Sequence, residues 1–450
     1  MDKISFDEFP SVGSKQWKQK IQFELGGLDY NETLVTQTID GININPFYHF
    51  DAAKNDIELQ QTTDFYICQK LYITKEKLSN KLALDALNRG AEAITFIASN
   101  PFDIKVLLKD IPKETPLFFE LTFASKSFFE ELAIEDRLIH INYDPISHLA
   151  KTGNWFKNVK SDFTLLNDNM LHAAHTFLKI DTILYQNAGA TITQQVAYAL
   201  AHGVEYLNYI IQNNIKVPSK FVFSFAQGSN YFFEIAKLRA FKVSFKSILN
   251  HLNLQTKIHI FAQPTLRNKS IYDYNNNMLR TTSECMSAIL GGADTISNVS
   301  YDHLFHKKNE FGERISRNQL IVLKEETDIL SKDFASGSYY IESLTEEIAN
   351  KALAIFKDIE KGGGFMAQLH QGTIQRKIKE SAQKEQSLFD QQKLQLLGTN
   401  LHPNSDDKMS NSLERSPFPN KRVVKTLIAP IVPKRLSAKY EQKRLSDETN

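Results

Sequence analysis

The chain has 450 residues and a formal net charge of +1, from 53 basic and 52 acidic side chains. That balance gives no electrostatic reason to expect nucleic acid or an anionic membrane as partner. Apolar residues make up 42% and charged residues 23%, as in globular proteins that bury a sizeable core. The two cysteines, Cys68 and Cys285, exclude a disulfide framework or a cysteine-rich metal site. No stretch approaches the ~18 uninterrupted apolar residues of a membrane span. Met1–Glu8 carries acids and no apolar centre, so no signal peptide and a cytoplasmic location are expected.

Residues 1–85 are polar and loop-rich, with a short helix signal around Trp17. The alternating run Thr38-Ile39-Asp40-Gly41-Ile42-Asn43-Ile44-Asn45-Pro46-Phe47-Tyr48 reads as an extended segment interrupted by Pro46. Too few regularly spaced apolar residues occur here for an independent core, so this arm is expected to lie on something else. From residue 86 the pattern changes to short β-branched and aromatic runs alternating with amphipathic helices. Strands are predicted at Ile94–Ala98, Leu117–Leu121, Leu138–Asn142, Phe163–Leu166, Thr182–Gln186, Phe221–Phe225, Ile258–Ala262 and Thr295–Val299.

Helix signals lie between them. Thr191 and Gln194 form a capping box, and Ile192, Val196, Leu200, Val204, Leu207 and Ile211 then define one buried face. The helix around Met278–Leu290 is ended by Gly291-Gly292. Strands that repeatedly alternate with helices specify a parallel sheet. About eight such units in ~250 residues is the size of a closed (β/α)8 barrel. A doubly wound open sheet is the alternative, disfavoured by the lack of a Gly-rich dinucleotide turn after the first strand.

A further helix is predicted after a second capping box, Ser343 with Glu346. Its buried face is Leu344, Ile348, Ala352, Ile355 and Ile359, and Gly362-Gly363-Gly364 stops it. Beyond Gly398, five of the thirteen prolines mix with Lys, Arg, Ser and Asn, the composition of a linker-like tail, with one helix signal near Arg435–Arg444. The expected organisation is an α/β chain: an arm at 1–85, a (β/α)8 TIM barrel with C-terminal helices at 86–398, and a tail at 399–450.

Chemistry-bearing patterns are sparse. Asp168, His172 and His175 sit at helical spacing and offer metal-ligand atoms, but a polar helix face or barrel rim reads as well. Glu284 beside Cys285 suggests an activated thiol only with a base nearby; a buried helical cysteine is the plainer reading. Gly362–Gly364 follow a helix instead of preceding one, which favours capping over phosphate binding. The run from Tyr272 to Asn277 follows the seventh strand, on the face where barrels place their sites. It is either a ligand loop or a helix-entry loop rich in Asn and Asp.

Several stretches resemble the methylmalonyl-CoA mutase family. Thr38–Tyr48 is similar to its T-x-D/E-G-I-x-I-x-P-L-Y motif, and Gln186-Asn187-Ala188-Gly189-Ala190-Thr191 to its Q-E-A-G-A-T segment. Asp273-Tyr274-Asn275-Asn276 with Arg280-Thr281-Thr282 resembles Y-N-N-x-x-R-T-T, and Leu290-Gly291-Gly292 matches L-G-G. Gly337–Thr345 is close to G-S-Y-Y-V-E-S-L-T. The resemblance implies an arm that wraps a partner subunit, a barrel that encloses an acyl-CoA, and a flavodoxin-like domain that holds adenosylcobalamin. The reaction it implies is a radical rearrangement between methylmalonyl-CoA and succinyl-CoA.

Departures from the family pattern point to a chain without catalytic residues. Leu184 stands where catalytic members place a His that hydrogen-bonds the thioester carbonyl, and leucine can neither donate nor accept. The R-P-W-T-I-R-Q-Y-A-G segment has no counterpart between Asp56 and Ile73. None of the twelve histidines lies in the cobalt-ligating D-x-H-x-x-G pattern, and Lys434–Gln442 resembles the linker that normally precedes that domain. The resemblance thus implies a small subunit that binds no cofactor or metal itself. Adenosylcobalamin and acyl-CoA would be held by a large catalytic partner in a heterodimer. Gln186, Tyr274, Asn275 and Asn276 are then vestiges of a barrel mouth. The rival expectations are a catalytic acyl-CoA mutase barrel served by a separate cobalamin-binding protein, and a CoA-sensing barrel without enzymatic activity.

Overall fold

The computed structural model describes residues 10–52, 59, 64–133, 137, 139–172, 178–418 and 424–449. Eight parallel strands make one sheet: β1 (Tyr66–Tyr72), β2 (Ala93–Ala98), β3 (Leu117–Leu121), β4 (Ile139–Asn142), β5 (Leu178–Asp181), β6 (Lys220–Gln227), β7 (Lys257–Pro264) and β8 (Thr295–Ile296). Their order is β4-β3-β2-β1-β8-β7-β6-β5. Each hydrogen-bonded pair is parallel, so the sheet curls into a nearly closed barrel with β4 and β5 meeting at a seam. Parallel neighbours require crossovers, supplied by α1 (Glu76–Asn88), the short helix Ile104–Leu107, α2 (Lys126–Ala133), α3 (Val159–His172), α4 (Ile192–Gln212), α5 (Tyr231–His251) and α6 (Asn276–Leu290), with α7 (Glu310–Glu325) following β8. Three long helices follow: α8 (Tyr339–Lys361), α9 (Thr373–Asp390) and α10 (Ala438–Thr449). The fold is the expected (β/α)8 barrel.

Local expectations are mostly met. The Thr191–Gln194 capping box forms, with Thr191 N donating to Gln194 Oε1 at 3.0 Å and Gln194 N to Thr191 Oγ1 at 3.4 Å. The apolar face of α4 is buried, with Ile210 at 1% exposure taking the final place that Ile211, at 44%, leaves to solvent. α6 ends at Leu290, and Gly292 adopts the left-handed φ of +80°.

Two strand expectations, one unrecognised strand and one cap need correction. Phe163–Leu166 lies inside α3, where buried Phe163 and Leu166 are one helical turn apart; four apolar-rich residues do not distinguish the two periods. Thr182–Gln186 is a turn and short helix, Ile183–Asn187, and the strand is the preceding Leu178–Asp181. Its inward Lys179 and Asp181 disguise it as polar. Tyr66–Tyr72, unrecognised because Gln69 and Lys70 interrupt it, is the first strand; it and most of α1 precede residue 86, where the composition changes. Ser343 and Glu346 are interior to α8, which begins four residues earlier after Ser338. Asp56, Leu138, His175 and Met1–Glu8 lie outside the described residues.

The arm folds on its own barrel. Thr36–Gln37 pairs with Asn43–Ile44 as a small hairpin, Ile42 is fully buried, and Asp40 Oδ1 accepts from Thr193 N at 2.7 Å and Thr193 Oγ1 at 2.9 Å. A carboxylate there meets the first-turn amides of α4, where the helix dipole favours it.

The seam between β4 and β5 is closed by a side chain. Asp144, 5% exposed, accepts from Asp181 N of β5 (2.9 Å) and Ser147 N (2.9 Å). Tyr206 Oη (2.5 Å) and His202 Nε2 (3.0 Å), both on α4, also reach it, and Tyr185 Oη lies 2.9 Å from His202 Nδ1. Burial pushes the Asp144 carboxyl upward, but His202 and the converging hydrogen bonds outweigh it and hold the group below the usual range. A depressed folded pKa contributes stability that is full above the unfolded value of about 4 and fades as pH falls through the folded one. Asp144→Ala is expected to cost about 3 kcal/mol by stranding buried donors, measured by urea denaturation at pH 7. Asp144→Asn should flatten the loss of stability below about pH 4 relative to the parent.

Candidate functional site

Barrels of this class place chemistry at the C-terminal ends of their strands, beside the lumen. Phe118 on β3 and Phe261 on β7 lie on opposite sides of the barrel, with three strands between them in either direction. Their ring centres are nevertheless only 5.2 Å apart. Phe118 stacks on His140 of β4 at 4.4 Å, and His140 on His259 of β7 at 5.9 Å. His259 Nε2 is 2.9 Å from Thr295 Oγ1, and burial holds its imidazole down at about 4. Aromatic side chains from facing strands therefore meet on the axis.

A charged layer sits on these rings. Lys179 of β5, fully buried, places Nζ 4.3 Å from the Phe261 ring centre. It donates to Glu120 Oε1 of β3 at 3.2 Å, and Lys70 of β1 donates to the same oxygen at 2.9 Å. Burial works to raise the Glu120 carboxyl; the two lysines overcome it and keep the group far below the usual carboxylate range. Nothing in the sequence pattern singled out this triad, although a lysine between Leu178 and Ile180 in a short apolar run was an available signal.

The sequence-derived residues fall into separate places. Leu184 is buried at 5% exposure in the short Ile183–Asn187 helix. Gln186 belongs to a buried cluster beyond β5 and β6. Its Nε2 donates to Glu234 Oε1 (2.9 Å) and its Oε1 accepts from Lys237 Nζ (3.0 Å). Lys237 also donates to Glu234, Gln195 and Ala226 O. Tyr274 packs against Tyr301 and Phe305, Asn275 is exposed at the start of α6, and Asn276 Nδ2 donates to Asp273 Oδ2 at 2.5 Å. The Tyr272–Asn277 run is thus a helix-entry loop, and it shares no hydrogen-bond partner with Gln186.

The tail laces the C-terminal rim. Glu414 N and Arg415 N donate to Phe305 O after β8, Leu427 N to Gly153 O and Ile431 N to Ala150 O after β4. Lys434 N then donates to Asn187 O after β5, and Leu436 N to Arg267 O after β7. Glu441, fully buried, pairs with Arg435 at 2.6 Å and accepts from Ile271 N at 3.0 Å. Tyr272 Oη donates to Glu448, and the Arg444 guanidinium lies 3.9 Å from the Tyr272 ring centre.

Other candidates resolve as structure. Asp168 accepts from Lys126 at 2.8 Å, and no cluster of three or more metal-ligating side chains occurs among the described residues. Cys285 is buried and burial raises its thiol well above the usual value, while Glu284 is paired with Lys269 at 2.7 Å. Burial likewise lifts Cys68 to about 11. Gly362–Gly364 end α8 and, against expectation, also lead into a short helix, Phe365–His370; Glu205 caps it, accepting from Met366 N at 2.8 Å.

These features define a (β/α)8 barrel whose axis is packed with side chains and whose C-terminal rim is tied down by its own tail. The chain belongs to the methylmalonyl-CoA mutase family, whose model matches residues 136–444. It is similar to the methylmalonyl-CoA mutase small subunit of Porphyromonas gingivalis, at 31% identity over 89% of this chain and 71% of that one. The small subunit of Streptomyces virginiae is 26% identical over 82% of this chain and 67% of its own length. The P. gingivalis large subunit is 33% identical over 48% of this chain, which spans only 31% of that relative. No helix among the described residues is long and apolar enough to cross a membrane.

Adenosylcobalamin is the cofactor this family implies. Besides the barrel sheet the described residues form only the two-stranded hairpin, so no second α/β unit is present among them. His140, His202 and His259 are buried and engaged in stacking or hydrogen bonding, so they offer no open imidazole.

The charged layer is directly testable. Glu120→Gln removes the carboxylate that Lys179 and Lys70 share, and is expected to cost about 3 kcal/mol in urea denaturation. Adding Lys179→Met, which removes one of those cations, should recover a measurable part of that loss.

Proposed function

We propose that this chain is the small, non-catalytic subunit of a heterodimeric methylmalonyl-CoA mutase. A large subunit would carry out the isomerisation between methylmalonyl-CoA and succinyl-CoA and hold both adenosylcobalamin and the acyl-CoA. The observation that carries this reading is the Phe118–Phe261 contact across the barrel axis, with Lys179 and Glu120 above it. A lumen occupied by close-packed side chains has no room for a pantetheine-length ligand. Leu184 adds a second argument, since an aliphatic group cannot polarise a thioester carbonyl. Small and large mutase subunits from one organism are both similar to this chain, which supports a pair of unequal chains.

Its role would be to stabilise the large subunit, as obligate partners do when neither surface is stable alone. Co-expression with a candidate large subunit is expected to yield a one-to-one complex by size exclusion, with mutase turnover only when the large chain is present. The isolated chain should show no heat on titration with CoA, and Leu184→His should confer no turnover. Turnover by this chain with adenosylcobalamin and a stand-alone cobalamin-binding protein would sink the proposal in favour of a catalytic barrel. Micromolar CoA binding without turnover would favour a sensor.

A further inference from the structure

Residues 424–432 of the tail cross the barrel rim without helix or strand, pinned to the short helix Pro145–Thr152 and the turn after it. Leu427 N and Ile428 N donate to Gly153 O, and Ile431 N to Ala150 O. Asn154 clamps the strap in both directions: its Nδ2 donates to Lys425 O at 3.2 Å and its Oδ1 accepts from Leu427 N at 3.0 Å. From α9, Gln375 Nε2 donates to Ala429 O at 3.0 Å. Ile428 and Ile431 are buried, while Val424, Leu427 and Val432 stand outward at 62%, 61% and 56% exposure. Single apolar side chains on a surface are ordinary. Three along one short strap that is fixed in place make a patch.

Positive charge gathers around the same strap. Residues 145–161 hold no acidic side chain but carry Lys151, Lys157 and Lys160, and residues 415–440 hold none against seven Lys and Arg. The carboxylates that bracket these runs are committed elsewhere. Asp144 closes the seam, Asp162 accepts from Phe156 N at 2.9 Å and Lys157 N at 3.2 Å, Glu414 accepts from Lys307 N at 2.7 Å, and Glu441 is buried against Arg435. Lys157, Lys160, Lys425 and Lys434 are all exposed. In a chain of formal net charge +1, this sets positive charge and apolar surface side by side on one stretch.

We infer that residues 424–432, with the lysines beside them, form a docking surface for an acidic, apolar-bearing segment of the large subunit. The chemistry is complementary: the outward Val and Leu side chains would make a small dry centre, and the ammonium groups around them a rim that selects and steers carboxylates. An anionic membrane offers similar chemistry but fits the geometry less well. Peripheral binders insert an amphipathic helix, whereas this strap is non-helical and locked to the barrel by its own backbone. The inference rests on the heterodimer reading and adds a contact at the tail.

The test uses the full chain in complex with the large subunit. Leu427 is outward, whereas both native cysteines are buried, so Leu427→Cys labelled with a benzophenone maleimide carries one photoreactive probe. Irradiation is expected to cross-link the large subunit at a segment rich in Asp or Glu. Charge reversal by Lys157→Glu, Lys160→Glu and Lys425→Glu together is expected to weaken the complex by about tenfold or more. Reversal of two exposed lysines on α1, Lys77→Glu with Lys81→Glu, is expected to leave affinity unchanged. A complex that forms normally but gives no cross-link, gives one to a second copy of this chain, keeps its affinity after the triple reversal, or is weakened as much by the α1 pair overturns the inference and leaves the heterodimer standing. So does a labelled chain that floats with phosphatidylserine vesicles and cross-links to no large subunit. Absence of any complex removes both readings.

Discussion

Two phenyl rings from opposite strands touch on the barrel axis, and the rest of the interior is arranged around that contact. With Phe118 and Phe261 5.2 Å apart, the two rings close the axis at their own level. Lys179 lies over the rings with its stem buried. An ammonium group in such a place must be paired, because an isolated buried charge costs far more than a buried ion pair. Glu120 supplies the pair, and Lys70 shares the same oxygen. The plug is therefore a linked set. Replacing one aromatic residue with a small one would leave the charged layer unsupported, so an open lumen is several coordinated changes away.

The C-terminal face, where barrels of this kind carry their chemistry, is committed to holding the chain together. At one edge Asp144 does the work of the strand pairing absent between β4 and β5, because its carboxylate accepts the Asp181 amide. From there the tail runs from loop to loop. Arg267 shows how tightly these parts are joined: its Nε donates to Glu385 of α9 and its Nη1 to Lys434 O of the tail. Loops that cross-link α9, the tail and the barrel are poor candidates for the opening and closing that lids need.

How much of this was legible in sequence depended on whether local signals sufficed. The Thr191 cap, the ends of α6 and α8, and six of the eight strands carry patterns that act over a few residues, and they read correctly. Tyr66–Tyr72 and Leu178–Asp181 did not, because Gln69, Lys70, Lys179 and Asp181 put polar groups where an apolar strand was sought. Their partners are distant: Gln69 accepts from Arg317, and Lys70 and Lys179 meet Glu120. Only the closed barrel brings them together. The Asp144–His202–Tyr185 network is illegible for the same reason, since its members come from three segments and each is unremarkable alone.

The motifs that link this chain to its family survive here with structural duties, which bears on what such motifs prove. Gln186 bonds to Glu234 and Lys237; Asn187 Oδ1 accepts from Thr265 Oγ1 at 2.7 Å and Leu266 N at 2.9 Å. Gly189, at φ +99°, lets α9 approach so closely that a Cβ would sit 2.5 Å from that of Ala382. Arg280 reaches Ser270, Asn277 and Leu397 O, while Thr281 and Thr282 accept from Gln319. Glu342 of the Gly337–Thr345 run holds Arg239. Each of these contacts fixes a loop or a helix to the barrel, and none requires a bound acyl-CoA. A sequence can therefore keep these motifs for the sake of the fold alone, so the motifs do not by themselves establish a reaction.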